Sequence, residues 1–428
     1  MTDFMISAGE ALPAHLVEVL RVGHKGMGDW QLWQQGGWNL LQEQVELPVA
    51  VLNAELVANN LRWMQQFAQQ AGMQLAPHGK TGMLPALFQQ QMTHGAWGMT
   101  LATVAQVSAA AAAGIPRILL ANPLVGLRAM QQIAELQQQG LEFYCLLDDA
   151  GHLAQLEQFF TACGQELKVL LEVGVPGGRS GVRTHEDAMA LAQKIRQSHS
   201  IRLVGLEFYE GVVKAPQSDL PTAIRSFIDD CLALFARLHS QQLFQADQIL
   251  LTGAGSAWYD IVAAAFADAK LPSTVLPLLR PGCYVFFDLG IYQQAQQEVL
   301  ARSALACQVD GALQNALEVW AYVLSRPEPE LAIIGLGKRD IAFDAGLALV
   351  SQHYRPGTTA PVAADRNWQL QKIMDQHAIL KIPAAADLAV GDMLSFAGSH
   401  PCLTVDKWRY LAVMDSDFHI RKLYPSYF

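Results

Sequence analysis

The feature that most constrains the fold of this chain is an alternation of short β-rich runs with longer stretches of helical spacing, which begins near residue 47. Such an alternation is typical of parallel strands joined by crossover helices. The runs predicted as barrel strands are 48–53, 73–77, 97–102, 117–121, 141–147, 168–172, 201–209 and 248–252, and a further run at 274–279 is predicted to close or decorate the barrel. The pattern therefore predicts an α/β fold in which residues 46–290 form a (β/α)8 barrel of the TIM type.

The pattern changes after about residue 291, where few helical stretches separate the β-rich runs. The strands predicted in this part of the chain include 303–309, 316–324 and 331–334. Runs without crossover helices between them favour antiparallel pairing, and 428 residues exceed what one hydrophobic core accommodates. We therefore expect a second, mainly antiparallel β domain made of residues 1–45 and 291–428. Its anchors onto other structure are predicted to be Trp30, Trp33 and Trp38.

Composition excludes several classes of protein. The formal net charge of -10 argues against a nucleic-acid binder, because phosphate backbones require a basic surface. A chain that is 51% hydrophobic and only 16% charged is not a disordered one. The first residues show no export signal and no apolar stretch approaches the roughly 20 residues that span a bilayer, so we expect a cytoplasmic protein with no membrane partner. Its six scattered cysteines are expected to be reduced.

The motif APHGKTG at 76–82 places a single lysine, Lys80, at the carboxyl end of a predicted barrel strand. Barrel enzymes carry their catalytic groups at this end. A desolvated lysine amine with a lowered pKa can form a Schiff base with an aldehyde. The alternative is an exposed loop lysine, and His78 in the same motif could either hydrogen-bond a cofactor or cap the turn.

The motif LTGAGSA at 251–257 follows a predicted strand and precedes a helical stretch. Backbone N–H groups of such a turn can converge on an anion at a helix N-terminus, and barrels often bind phosphate after their late strands. The motif therefore indicates a phosphate site, although glycines also serve ordinary tight turns.

The motif SHPCLTVD at 399–406 pairs an imidazole, His400, with a thiol two residues later, Cys402. Both side chains point the same way if the segment is extended. Imidazole and thiolate suit zinc, and two protein ligands indicate an open catalytic metal site rather than a structural one. The alternative is a buried cysteine beside a surface histidine.

These three motifs occur together with EVGVPGGRSGVR at 172–183 and RPGCYVFFD at 280–288. In this order the chain resembles the D-serine dehydratase and D-threonine aldolase family from about residue 45 onward. The resemblance implies an alanine racemase-like, type III fold that binds pyridoxal 5'-phosphate (PLP) in the barrel. It also implies a homodimer.

The resemblance further implies roles for particular residues. Lys80 becomes the lysine that carries PLP, and the phosphate is bound by Gly253, Gly255 and Ser256. Arg179 and Tyr209 are expected beside the cofactor ring, and Tyr284 is expected near its phosphate or the substrate. The metal ligands are His400 and Cys402, with zinc expected and manganese as the alternative.

Members of this family have either Cys or Asp two residues after the metal-binding His, and the Cys form resembles the dehydratase side. The resemblance therefore implies a lyase that converts a D-3-hydroxy amino acid such as D-serine to a 2-oxo acid and ammonia. The aldolase alternative is cleavage to glycine and an aldehyde. Two further alternatives are an amino-acid racemase and a non-catalytic carrier of PLP.

Overall fold

The structure is a computed structural model, and it describes residues 4–10, 17–18, 24–216 and 219–428. Two predictions concern segments that lie partly outside the described residues. One is that the N-terminal segment joins the β domain, and the other is that the start of the chain lacks an export signal. The strands are β1 Ile6–Ser7, β2 Trp38–Asn39, β3 Val49–Asn53, β4 Gln74–Leu75, β5 Met99–Leu101, β6 Arg117–Pro123, β7 Glu142–Leu147, β8 Leu167–Val173, β9 Ile201–Phe208, β10 Ile249–Gly253, β11 Val275–Leu279, β12 Leu317–Glu328, β13 Leu331–Ile334, β14 Leu349–Tyr354, β15 Val362–Ala363, β16 Gln369–Ile373, β17 Ala378–Lys381, β18 Met393–Ala397, β19 Tyr410–Met414 and β20 His419–Pro425. The helices are α1 Trp30–Gln35, α2 Ala54–Gln70, α3 Pro85–Thr93, α4 Val104–Ala112, α5 Leu127–Gln138, α6 Ala150–Ala162, α7 His185–Gln197, α8 Leu220–Ser240, α9 Tyr259–Asp268, α10 Ile291–Arg302, α11 Ala304–Gln308 and α12 Cys402–Val405.

Strands β4 to β11 form an eight-stranded parallel sheet in the order β4-β11-β10-β9-β8-β7-β6-β5. The N–H groups of Trp97 and Thr100 donate to the carbonyls of Leu75 and Pro77 at 2.7 and 2.9 Å, so β5 also lies beside β4. These bonds close the sheet into a barrel, and a helix follows each strand from β5 to β10. The predicted barrel of the TIM type is confirmed.

The barrel strands are buried on both faces, as expected for parallel strands covered by helices. The helices around them begin where a polar side chain can accept a free backbone N–H. Asn53 caps α2, Thr103 caps α4 and Thr184 caps α7 in this way. Within the described ranges, no helix combines the length and the apolar composition needed to cross a membrane.

The remaining strands form a twelve-stranded, mainly antiparallel sheet. Its long strand β12 pairs with β3, β13 and β18. Trp33 and Trp38 are each 1% exposed and their ring centroids lie 4.5 Å apart, whereas Trp30 is half-buried at the edge of the same cluster. Two of the three predicted anchors therefore pack in the core of this sheet.

One predicted barrel strand belongs to the other sheet. The run 48–53 forms β3, which pairs antiparallel with β12 and parallel with β19, and the run 274–279 supplies the eighth barrel strand as β11. A short apolar run fits either sheet, because its side chains become buried on both faces in each case. The pairing partners decided its place.

A second prediction was also wrong. The run 303–309 was predicted as a strand, but its centre forms the short helix α11. The Ser303 side chain accepts the N–H of Ala306 and so caps this helix, and the alanines that follow favour helical over extended backbone.

Candidate functional site

A cavity of about 280 Å³ opens at the carboxyl ends of the barrel strands, where segments from both sheets meet. Barrel residues at or after the ends of β4, β5, β6, β8, β9, β10 and β11 form its wall, and residues from the segment between β18 and β19 close one side. The residues lining it are His78, Lys80, Thr81, Ala102, Ala121, Asn122, Arg179, Glu207, Tyr209, Ala254, Gly255, Ser256, Arg280, Gly282, Cys283, Tyr292, His400 and Cys402. The size is at the small end for a ligand pocket.

Lys80 lies in a single 3-10 turn directly after β4 and faces the cavity. The glycines around it permit this turn to pack closely. A Cβ atom at Gly79 would lie 2.7 Å from the Phe88 ring, and one at Gly82 would collide with the Phe286 ring. Desolvation lowers the pKa of the Lys80 amine, and the positive charge of Arg179 lowers it further, against the opposing effect of Cys402. The cavity thus makes this lysine easier to deprotonate than one in water.

His78 is the neighbouring polar group in the cavity wall. Desolvation holds the pKa of its imidazole well below the ordinary value, and the charges of Lys80 and Arg280 act in the same direction. Its buried Nδ1 has no hydrogen-bond partner among the described residues. Since buried polar atoms normally have partners, this ring presents a neutral nitrogen that a ligand can satisfy.

The turn after β10 has the geometry of an anion site, but its first two N–H groups are already occupied. Ala254 and Gly255 donate to the buried carboxylate of Glu210 at 3.0 and 2.7 Å. Ala254 has a φ of 73°, which points these N–H groups together. Burial raises the pKa of Glu210 despite these bonds. Gly253 itself packs under the Phe208 ring and does not line the cavity.

Ser256 fixes the turn after β10 to the segment after β11. Its Oγ accepts the N–H groups of Gly282 and Cys283, each at 3.1 Å. The backbone N–H groups of Ser256 and Ala257 make no hydrogen bond within the described part of the chain. Of these two residues Ser256 lines the cavity, so its N–H, rather than those of Ala254 and Gly255, is available to an anion there.

A buried ion pair lies below the cavity. Arg280 donates to Glu207 and to the carbonyl of Phe208, and both charged side chains are nearly inaccessible to solvent. Arg280 Nε and Glu207 Oε2 have no partner among the described residues. Glu172 is opposite Glu207 on the adjacent strand; burial and the Glu207 charge raise the pKa of Glu172 to about 8. The cavity floor is thus polar and incompletely hydrogen-bonded.

Arg179 and Tyr209 form one edge of the cavity. The guanidinium carbon of Arg179 lies 4.9 Å from the centre of the Tyr209 ring, which is a cation–π contact. Desolvation raises the pKa of the Tyr209 hydroxyl, and Glu210 adds to this effect. Both predicted cofactor residues therefore reach the cavity together.

The segment after β18 contributes His400 and Cys402. His400 Nδ1 is hydrogen-bonded to Asp344 Oδ2 at 2.8 Å, and Cys402 Sγ lies 3.8 Å from Cys283 Sγ. The segment is not extended, because Cys402 begins the short helix α12; the extended geometry that we considered is wrong, but both side chains line the same cavity. The hydrogen bond from Cys283 lowers the pKa of Cys402 to about 7.

Tyr284 does not lie in the cavity wall. It is 4% exposed, and its hydroxyl accepts a hydrogen bond from Gln91 at 3.1 Å. It lies in the same 3-10 turn as Cys283, and it is Cys283 that lines the cavity. The motif at 280–288 was correctly singled out, but the direction of each side chain in the turn could not be predicted.

Several cavity residues were not predicted. They are Thr81, Asn122, Glu207, Arg280, Cys283 and Tyr292. Glu207 carried a signal, since it is a charged residue within an apolar strand, and Arg280 and Cys283 belong to a motif already noted. Asn122 and Tyr292 lie in segments whose sequence gives no comparable sign.

Comparisons with known proteins agree with this architecture. The family model for the alanine racemase N-terminal domain matches residues 52–288, and the serine dehydratase domain model matches residues 316–414. A D-threonine aldolase of Arthrobacter sp is 28% identical over 83% of this chain and 86% of that enzyme. A D-threo-3-hydroxyaspartate dehydratase of Delftia sp. (strain HT23) is 24% identical over 84% of this chain and 92% of that enzyme.

The crystal structure of D-threonine aldolase from Filomicrobium marinum superposes with a TM-score of 0.76 at 21% identity, covering 92% of this chain and 97% of that one. At this identity the superposition shows the shared fold. The barrel match extends over more than half of the chain, and the curated relatives are named as lyases. The protein is therefore a lyase of the alanine racemase-like family that includes the D-threonine aldolases and D-serine dehydratases.

Proposed function

We propose that the protein is a PLP- and divalent-metal-dependent dehydratase, which converts a D-3-hydroxy amino acid such as D-serine to a 2-oxo acid and ammonia. One observation carries this proposal. The amine of Lys80, from the barrel, and the side chains of His400 and Cys402, from the β domain, line one small cavity. An amine and a metal-binding pair in the same small cavity suit a reaction at two adjacent substrate carbons.

The residues present fit PLP. Lys80 offers an amine of lowered pKa, and the partnerless polar atoms of His78 and Arg280 border the same space. The free N–H group of Ser256, which lines the cavity, suits a phosphate group. When bound, PLP supplies an electron sink for negative charge at the substrate Cα.

The residues also fit a divalent metal. The hydrogen bond to Asp344 occupies Nδ1 of His400 and so leaves Nε2 for a metal, which is the usual outer-shell arrangement of metal-binding histidines. A thiolate ligand favours zinc over manganese. When bound, the metal offsets negative charge that develops on the substrate β-oxygen.

Within this cavity the chain's own groups have separate tasks. The Lys80 amine can take the proton from the substrate Cα, because burial lowers its pKa and so makes the free amine more accessible than that of an ordinary lysine. Arg179 adds a positive charge at the cavity edge that attracts the substrate carboxylate. His78 stays neutral and so accepts or donates one hydrogen bond without repelling these cations.

An aldolase is the second candidate, because the relative from Arthrobacter sp that is 28% identical is named a D-threonine aldolase. In that reaction a base removes the β-hydroxyl proton and the Cα–Cβ bond breaks, giving glycine and an aldehyde. The same cavity groups would serve, but the proton would be taken from oxygen instead of carbon.

Product analysis separates the two reactions. The purified protein, loaded with PLP, is incubated with D-serine and with D-threonine, in the presence and absence of a chelator, with the L-enantiomers as controls. A dehydratase gives oxo acid and ammonia that disappear with the chelator. Glycine and aldehyde would instead establish the aldolase, whereas formation of the L-enantiomer, or no reaction, would support the racemase or carrier and overturn the proposal.

A further inference from the structure

The six cysteines differ sharply in their surroundings. Cys145 and Cys231 are buried, and Cys163 and Cys307 are exposed on the surface. Cys283 and Cys402, which are 119 residues apart in sequence, bring their sulfur atoms within 3.8 Å of each other in the wall of the cavity. One comes from the barrel and the other from the β domain.

The separation of these sulfurs distinguishes between two kinds of pair. A disulfide needs about 2.05 Å between its sulfur atoms. Two thiolates at about 2.3 Å from one tetrahedral zinc lie about 3.8 Å apart, from the zinc–sulfur length and the tetrahedral angle alone. The observed 3.8 Å, at which the two thiols are hydrogen-bonded, is too long for a disulfide and is also the separation that a shared zinc ion requires.

The environment of Cys283 is unusually polar for a buried thiol, since a free buried cysteine normally packs as a small apolar group. Thr81 Oγ1 lies 3.6 Å from its sulfur, and the hydroxyl of Tyr292 also contacts it. Its backbone N–H is fixed by Ser256 Oγ at 3.1 Å, which holds the turn in place. The sulfur is therefore positioned by a rigid segment and faces polar groups.

We propose that Cys283 is a third protein ligand of the divalent metal, together with His400 and Cys402. The inference rests on the metal-dependent function proposed above. Two thiolates, one imidazole and an open position for substrate form a known catalytic zinc arrangement. Among the described residues no three such side chains are already gathered as a cation site, so metal binding must bring the His400 imidazole up to the two sulfurs, which already lie at the required separation.

The ligand count has a chemical consequence. Two thiolates neutralise the charge of a divalent cation and make the site softer than one built from a single thiolate and an imidazole. Soft ligands select zinc, whereas manganese prefers carboxylate and water oxygen. The protein should therefore retain zinc strongly and bind manganese weakly.

The test counts the sulfur ligands directly. The reduced, PLP-loaded protein is reconstituted with Co²⁺, and the near-ultraviolet sulfur-to-cobalt absorption is compared among wild type, Cys283→Ser, Cys402→Ser and the surface control Cys307→Ser. We expect the absorption to fall by about half in each cavity variant, in proportion to the thiolates that remain, and to stay unchanged in the control. Zinc affinity, measured by competition with a coloured chelator, should fall at least about tenfold in Cys283→Ser.

X-ray absorption of the zinc-loaded wild type provides a readout that needs no variant, so the test holds even if Cys283→Ser does not fold. Two sulfur neighbours support the proposal. A single sulfur neighbour, or a Cys283→Ser protein with undiminished cobalt absorption and zinc affinity, overturns it. If chelator-sensitive formation of oxo acid persists in that case, the proposed function stands and only the third ligand is lost.

Discussion

The barrel and the β domain are built on opposite principles. In the barrel, each strand from β5 to β10 pairs with the next strand of the chain across a crossover helix. In the β domain, β3 lies between β12 and β19, which follow it by more than half of the chain length. Short-range order along the chain therefore specifies the barrel, whereas the second sheet depends on pairing between distant segments.

The cavity is divided in the same way. The barrel supplies Lys80 and the polar floor around Glu207 and Arg280, and the β domain supplies His400 and Cys402. If this division is functional, loss of the Lys80 amine should remove cofactor binding and leave the metal, and loss of the support of His400 should weaken metal binding and leave the cofactor. The predictions that follow compare the two regions in function and in stability.

The largest effect is expected for Lys80→Ala. Loss of the amine should abolish the visible absorbance of bound PLP and lower turnover by at least about 10²–10⁴-fold, because both attachment and proton transfer depend on it. Absorbance spectra and product formation measure the two losses, while zinc content should not change. Lys338→Ala, which removes an amine from the β domain, serves as the matched control. Persistence of the visible band in Lys80→Ala would refute the assignment.

The next effect concerns stability. Glu207→Ala leaves the buried Arg280 charge without its partner and should lower the free energy of unfolding by about 3–5 kcal/mol. Both side chains of this pair are at most 6% exposed. In the β domain, Asp387→Ala breaks a pair whose carboxylate is 88% exposed, and exposed pairs contribute about 1 kcal/mol or less. Denaturant unfolding of both apoproteins checks the contrast, and equal losses would contradict it.

A smaller effect is expected for Asp344→Ala. The variant removes the carboxylate that orients His400, and loss of such an outer-shell partner usually lowers metal affinity by about 10–100-fold. The visible band of PLP should stay as in the wild type. Chelator competition measures the affinity, with Asp387→Ala as the control in the same domain. An unchanged zinc affinity would show that Asp344 has no part in the metal site.

The last effect is a change in the pH dependence of stability. The pKa of the buried Glu172 carboxyl is raised from 4.5 to about 8. Between these values the folded protein retains a proton that the unfolded chain releases, so stability is greatest below the lower value and is lost as pH rises towards the upper one. Glu172→Gln should therefore lose less stability than the wild type between about pH 5.5 and pH 8. Thermal unfolding across this range provides the measurement, and parallel curves would contradict the assigned pKa.

Local sequence patterns predict some positions in the site but not others. Lys80 could be placed because it follows a predicted barrel strand, and the ends of parallel strands face one side of a barrel. His400 and Cys402 could be chosen as a pair from their spacing, but not located relative to the lysine. Tyr284 was expected at the site from the resemblance, but its neighbour Cys283 lines the cavity. Adjacent residues of a turn point in different directions, and no periodicity governs a single 3-10 turn.

The sequence by itself determined the barrel, the position of the lysine at the end of a barrel strand and the residue types capable of binding PLP and a metal. These properties depend on strand and helix periods and on side-chain chemistry, which are local. Only the tertiary structure decided that β3 joins the second sheet, that Glu210 accepts the first N–H groups of the turn after β10, and that Cys283 contacts Cys402. Each of these depends on contacts between segments far apart in the chain, and burial at those contacts also sets the pKa values of Lys80, His78 and Glu172.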